Sequence, residues 1–306
     1  MLHERTKMRK SLSAKGMLSF LLCYLIWGFQ PLYFIMLDGM DTLFIMANRI
    51  VWAAVCCTAI LRFRGDLSDM LALFRSRHVM TRIVPSSLFL FADWIIYLIA
   101  VRNGKVQECS LGYYIMPLVM FAFGTVIYKE KMTWQKAVVL VIVVIGILLS
   151  INGFGTVPYV TISLALCFAI YSAIKKSIDV DSVVSTTAEI VLMVPLALIY
   201  IIVFCRNDTG LYSLTFSKFL LLLGSGAVTG LPMLFFAVGI KYVPLTTAGM
   251  FQYLSPTLGL FCSVIMGESI TKEKIISFAF IWAGIILYTI ITIHAGKGKE
   301  EIQSCP

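Results

Sequence analysis

The stretch FIMANRIVWAAVCC (Phe44–Cys57) is apolar almost throughout, yet Asn48 and Arg49 sit inside it. In a soluble core an arginine is almost never fully buried without a partner. At the centre of a bilayer-spanning helix it costs roughly 2.5–3.5 kcal/mol on insertion scales. The solvent around this segment therefore decides the fold. Of the 306 residues, 59% are hydrophobic and 13% charged, against about 25% charged in an ordinary soluble domain. The chain reads as an all-α polytopic membrane protein, and Arg49 as a charge placed inside the membrane.

Ten stretches are apolar enough to span, at about 20 residues each: 16–37, 42–63, 80–101, 107–128, 134–152, 158–177, 183–204, 217–240, 246–267 and 275–294. Between the second and third, residues 64–79 suit an amphipathic interfacial segment. Lysine and arginine set the orientation. With the N-terminus in the cytoplasm, eighteen of them fall on the inner side, Lys175 and Lys176 included, and six on the outer. This predicts both termini inside, with short cytoplasmic tails at 1–15 and 295–306. The net charge of +9 is then topology facing an anionic inner leaflet, and no nucleic-acid partner is expected.

The eight cysteines form no C-x-x-C pair and read as small buried apolar residues. His3, His78 and His294 lie outside the apolar runs or at their ends. No metal and no cofactor is expected. Neither HExxH nor G-x-S-x-G nor a P-loop pattern occurs, so neither an enzyme nor an ATP-driven pump has its usual signature.

The two halves, 16–152 and 158–294, repeat. Arg102, Tyr114 and Pro117 match Lys241, Tyr253 and Pro256 at an offset of 139, and Glu130 and Gly146 match Glu268 and Gly284 at 138. LCYLIWG (22–28) of the first stretch faces LCFAIYS (166–172) of the sixth at 144. Five spans per half is odd, so the second copy enters from the opposite side. That is the inverted-repeat plan of secondary transporters, with a site near the midplane.

In order along the chain stand YLIWGFQPLYF (24–34), NRIVW (48–52), DWIIYLIAV (93–101), SLGYYIMPL (110–118), AEIVLMVPLALIY (188–200), MFQYLSPTL (250–258) and FAFIW (278–282). With these the sequence resembles the RarD branch of the EamA-like drug/metabolite transporter superfamily, whose members are often named chloramphenicol-sensitive protein. The resemblance covers nearly the whole chain. It implies ten helices in two inverted five-helix repeats and a multi-pass permease in the bacterial inner (plasma) membrane. It does not fix the substrate. Members usually carry His before the arginine, where this chain has Asn48, and Asn before the third-stretch tryptophan, where it has Asp93. The first departure removes a histidine proton switch at 48; the second adds a carboxylate.

Candidate substrate and coupling residues follow from charge at depth. Arg49 lies about 10 Å below the outer end of its helix at 1.5 Å per residue. It is read as a cation facing a polar cavity or as a snorkelling anchor. Trp52, one turn on, would stand beside it. Asp93 is deeper, a carboxylate that can carry a proton or pair with Arg49; Trp94 adjoins it and Tyr97 shares its face. Glu189 occupies the place in the second repeat that Arg49 holds in the first, with opposite sign, and Pro195 follows it. Tyr113, Tyr114 and Pro117 match Gln252, Tyr253 and Pro256 as hydrogen-bonding walls near helix breaks. Gly112 and Gly249, like Gly226 and Gly230, read as close-packing positions. Glu130 and Glu268 read as helix caps or surface partners of lysine.

The expectation is a secondary active transporter of a small organic metabolite or drug, working by alternating access with the proton as coupling ion. A homodimer is left open. The alternatives are a membrane-embedded enzyme, which lacks a visible nucleophile, metal cluster or histidine at depth, and a membrane sensor, for whose output domain the tails are too short.

Overall fold

The computed structural model of the protein describes residues 2–103, 105–151, 159–204 and 214–265, and within the last apolar stretch 275–276, 279–280, 282–284, 286–287 and 290–291. The elements are α1 (Leu2–Phe34), a 3-10 turn (Ile35–Leu37), α2 (Thr42–Arg64), α3 (Leu67–Arg75), α4 (Arg77–Arg102) and α5 (Val106–Val126). They continue with α6 (Trp134–Ile151), α7 (Tyr159–Lys176), α8 (Ser182–Phe204), α9 (Phe216–Tyr242), α10 (Leu245–Gln252) and α11 (Leu254–Ile265). Among the described residues six helices are long and apolar enough to cross a membrane: Ala14–Leu37, Thr42–Arg64, Arg77–Ala100, Tyr159–Lys176, Ser182–Val203 and Phe216–Tyr242.

Two features differ from the sequence expectation, and a third falls partly outside the described residues. The basic tail continues α1 without a break, since its Lys, Arg, Met and Leu residues favour helix. The stretch 246–267 is two helices, α10 and α11, divided at Tyr253. Pro256 lies in the first turn of α11, where its missing N–H costs least. The matching Pro117 sits inside α5, which runs on through it. The stretch 275–294 lies only partly within the described residues.

Local chemistry sets the ends. The Asp41 carboxylate accepts from the Phe44 amide (2.9 Å) at the head of α2, a standard N-cap. Gly65, at φ +83°, closes that helix in the left-handed conformation, which costs a side-chain-bearing residue. α3 is the short amphipathic helix expected between the second and third stretches, with Met70 and Leu73 buried.

The main packing joins the first half to the second. α2 and α1 lie along α9, α5 and α4 along α7, α2 along α8, and α1 along α11. These pairs come in matching sets: α1 on α9 has its counterpart in α7 on α4, and α2 on α9 in α8 on α4. The two sequence-matched motifs meet at the centre. Trp27 lies edge-on to Phe168 (6.0 Å), and Phe168 contacts Tyr171 (5.6 Å) and Phe236 (5.3 Å). Outward faces carry exposed Val55, Leu88, Ile99, Ile162, Leu196 and Leu223, which a bilayer would cover.

Candidate transport site

Two polar clusters lie inside this apolar bundle, one toward each end. The first surrounds Arg49, seven residues into α2. Its Nε donates to the Thr229 hydroxyl of α9 (3.0 Å) and Nη1 approaches the Met46 sulfur (3.1 Å). The guanidinium carbon stands 4.3 Å from the centre of the Phe34 ring at the end of α1. Tyr97 of α4 and Tyr113 of α5 are within electrostatic reach of it, and their rings meet at 5.9 Å. Asp93, 3% exposed, is within reach of Tyr113, Cys109 and Cys167. Its Oδ1 is buried without a hydrogen-bond partner. Arg49, Tyr97 and Tyr113 keep partial exposure.

No ion pair joins Arg49 to Asp93; the pairing weighed from the sequence is not made in this structure, because Thr229, Met46 and Phe34 hold the guanidinium. Trp52 is not its aromatic neighbour either. Residue 52 lies nearer the middle of α2 and its ring packs edge-on against Phe219 (6.0 Å). Asn48 turns back on its own helix, donating to the Phe44 carbonyl (2.9 Å). Trp94 packs at the margin of the main apolar core.

The second cluster surrounds Glu189, seven residues into α8. Oε2 accepts from Lys175 Nζ at 2.8 Å, with the two side chains 0% and 2% exposed. Lys175 also donates to the Ser185 hydroxyl (2.9 Å). The Ser87 hydroxyl of α4 donates to the Glu189 carbonyl (2.9 Å). Glu189 Oε1 and the hydroxyls of Tyr171 and Tyr24 are buried and without partners. Lys175 was the residue that sequence reasoning missed. It ends α7 beside Lys176, so it was counted among the surface charges that orient the chain. Lys176 behaves as that reading expects, donating to the carbonyls of Val243 (2.6 Å) and Ile240 (3.2 Å) at the end of α9.

Ionisable side chains inside apolar helices mark a functional site by default, and the comparisons with known proteins place the chain in a family. The model of the EamA-like transporter family matches twice, at residues 14–152 and 158–290. The chain belongs to the EamA-like transporter family. It is a multi-pass membrane transporter by that membership, and the double match makes it a duplicated one. This EamA-like chain is similar to the uncharacterized transporter YojE of Bacillus subtilis, 31% identical, with 98% of this chain and all of that one covered. It is 28% identical to protein RarD of Escherichia coli, covering 94% and 98%. It is 24% identical to the chloramphenicol-sensitive protein RarD of Pseudomonas aeruginosa, covering 90% and 94%. A solved crystal structure superposes with a TM-score of 0.74 over 94% of this chain and 99% of that one. At 18% identity it shows a shared fold.

The remaining candidates of this EamA-like chain form a third place, the seam between α5 and α10. Tyr253, fully buried, donates its hydroxyl to the carbonyl of its repeat partner Tyr114 (3.1 Å). Gln252 donates to the Met116 sulfur, and its Oε1 is buried without a partner. A side chain on Gly249 would strike the Pro117 carbonyl, and one on Gly112 would crowd Leu164 and the Thr161 carbonyl; both glycines allow backbones to approach. Gly226 and Gly230 do the same for α9 against Trp52 and Cys57 of α2. Glu130 is a cap, accepting from the Leu245 and Thr246 amides (2.6 and 2.9 Å) at the head of α10. The helix it caps lies in the other half of the chain. Pro256 is partly exposed in α11, and Glu268 lies outside the described residues. The structure thus gathers Arg49, Asp93, Tyr97 and Tyr113, and separates them from Glu189 and from Tyr114, Gln252 and Tyr253. Among the described residues no group of three or more His, Cys, Asp or Glu could hold a metal.

Proposed function

We propose that this chain is a secondary active transporter of a small organic metabolite or drug, coupled to protons and working by alternating access. In this reading ten spans form two inverted five-helix repeats with both termini in the cytoplasm of a bacterium, and the protein sits in its inner membrane. The matching sets of cross-half helix contacts support the inversion. The observation that carries the reading is the cluster of Arg49, Asp93, Tyr97 and Tyr113. Among the described residues the guanidinium has a hydroxyl, a sulfur and a ring for partners, so it can accept an anionic or polar group of a solute. The phenol rings offer stacking and hydrogen bonds. The Asp93 carboxylate, with one oxygen unbonded, is the group that would take up and release the coupling proton.

The test is thermal unfolding of the purified protein in detergent with amphenicols, aromatic and branched-chain amino acids, nucleosides and organic phosphates. A ligand at 100 times its dissociation constant stabilises by about 2.7 kcal/mol. A hit is then carried into proteoliposomes with an imposed pH gradient. Uptake driven by the gradient and abolished in Asp93→Asn is the expected result. Uptake indifferent to the gradient would remove the proton, and no shift from any compound would remove these solute classes.

A further inference from the structure

The two charges on α2 and α8 stand in corresponding places of the two halves. Glu189 follows Arg49 by 140 residues, Lys175 follows Phe34 by 141, and Thr229 follows Ser87 by 142. Each residue is met from two sides, by elements in corresponding places of the two halves. One is at the end of the first helix of its own half: Phe34 of α1 for Arg49, Lys175 of α7 for Glu189. The other is a hydroxyl from the third helix of the opposite half: Thr229 of α9 for Arg49, Ser87 of α4 for the Glu189 carbonyl. The offsets agree to within two residues of one another, and those of Lys175 and Thr229 lie three residues from the 144 and 139 that the LCYLIWG and Arg102 matches give, less than one helical turn.

We infer that the Lys175–Glu189 pair, with Ser87 holding the Glu189 backbone carbonyl, is the gate latch that shuts one end of the transport path. This rests on the alternating-access reading. In this structure the Lys175 end is shut: Lys175, Glu189, Tyr171 and Tyr24 are all 4% exposed or less, while Arg49, Tyr97 and Tyr113 are half-buried. The shut end leaves Glu189 Oε1, Tyr171 Oη and Tyr24 Oη buried and unbonded. Buried polar atoms of that kind are disfavoured, and parting α7 from α8 would let water reach them. Closure here is thus held by the ion pair against three groups that gain partners on opening. Lys175 is a positioning residue in this scheme and does not touch the solute.

Two native cysteines report the two ends. Cys23, 0% exposed, is within electrostatic reach of Tyr24 and Tyr171. Cys109, 1% exposed, has its sulfur 3.9 Å from the Tyr97 carbonyl and lies near Asp93. The experiment measures the rate at which a water-soluble maleimide labels Cys23 alone or Cys109 alone, the other cysteines being replaced, in purified protein without solute. Lys175→Met and Glu189→Gln should each speed labelling of Cys23 by about tenfold, for a latch that shifts a two-state equilibrium, and should not speed that of Cys109, which serves as the control for loss of fold. The swapped variant Lys175→Glu/Glu189→Lys should bring Cys23 back to within about twofold of the parent. Parallel acceleration at both cysteines means loss of fold, and the latch is overturned. Unchanged rates, or no recovery in the swap, overturn it as well. Because no solute or gradient is used, these outcomes are independent of whether the transport assay succeeds.

Discussion

The surroundings of Arg49 and of Glu189 are the same place in the fold built twice, with opposite chemistry. At Glu189 the charge is neutralised by Lys175 at 2.8 Å and sealed from solvent. At Arg49 the charge has a hydroxyl, a thioether and an aromatic face, and no carboxylate. A buried ion pair is costly to break on one side, because the survivor is left charged in a poor solvent. A cation on soft partners loses far less when it exchanges them for a solute. The difference teaches which end is built to hold and, under the proposed function, which would receive the solute.

The largest expected effect tests the holding end. Glu189→Ala leaves Lys175 buried without its partner and should lower unfolding stability in detergent by about 3–5 kcal/mol. Adding Lys175→Met should return most of it. If Glu189→Ala is nearly neutral, the two regions do not differ in the way described. Next comes the receiving end. Arg49→Ala should cost only about 1–2 kcal/mol, the loss of one hydrogen bond and a ring contact, yet abolish any solute-induced stabilisation. With Asp93→Asn it should be additive to about 0.5 kcal/mol, whereas Lys175 and Glu189 should couple by more than about 1 kcal/mol in the same kind of cycle. Strong coupling between Arg49 and Asp93 would mean that they meet in another state of the cycle.

A smaller effect belongs to Glu130, whose carboxylate caps α10. Glu130→Ala should lower stability by about 1 kcal/mol, read by thermal unfolding, without altering solute binding. The smallest is at the exposed Arg64, 2.7 Å from Asp66 and 3.4 Å from Asp181. Arg64→Ala should cost no more than about 0.5 kcal/mol. Burial pushes the Asp181 carboxyl up, but the Val184 and Val183 amides and Arg64 outweigh it and hold it below the usual range. That stabilisation is present above the ordinary carboxylate range and is lost as pH falls through the lowered value. The Arg64→Ala difference should therefore shrink below about pH 4, as unfolding at pH 7 and pH 3 would show.

How far the sequence was legible follows the same division. Arg49, Asp93 and Glu189 stood out because charge is rare inside apolar runs, and the structure buries or half-buries all three. Lys175 could not stand out, because a lysine at a helix end beside a second lysine has the look of a surface anchor. Its depth depends on which face of α7 turns inward, and periodicity is silent where apolar residues cover every side. The Trp52 expectation failed for a related reason. Spacing on α2 places residue 52 near 49, but Phe34 arrives from α1, and no pattern within α2 announces it. The division of the ninth stretch at Tyr253 did leave a trace in Pro256, though Pro117 at the matching position breaks nothing. A proline marks where a helix can part and leaves the choice to its neighbours.

The seam between α5 and α10 has one further implication. α10 is eight residues long, about 12 Å, and it is fastened at both ends. Glu130 grips its first two amides, and Tyr253, just past its last residue, bonds to Tyr114 in the middle of α5. A short rod pinned twice to the opposite half cannot slide or tilt freely against it. Under the alternating-access proposal, rocking would turn about this line, with α5 and α10 as the axle and the helices bearing Arg49 and Glu189 as the arms.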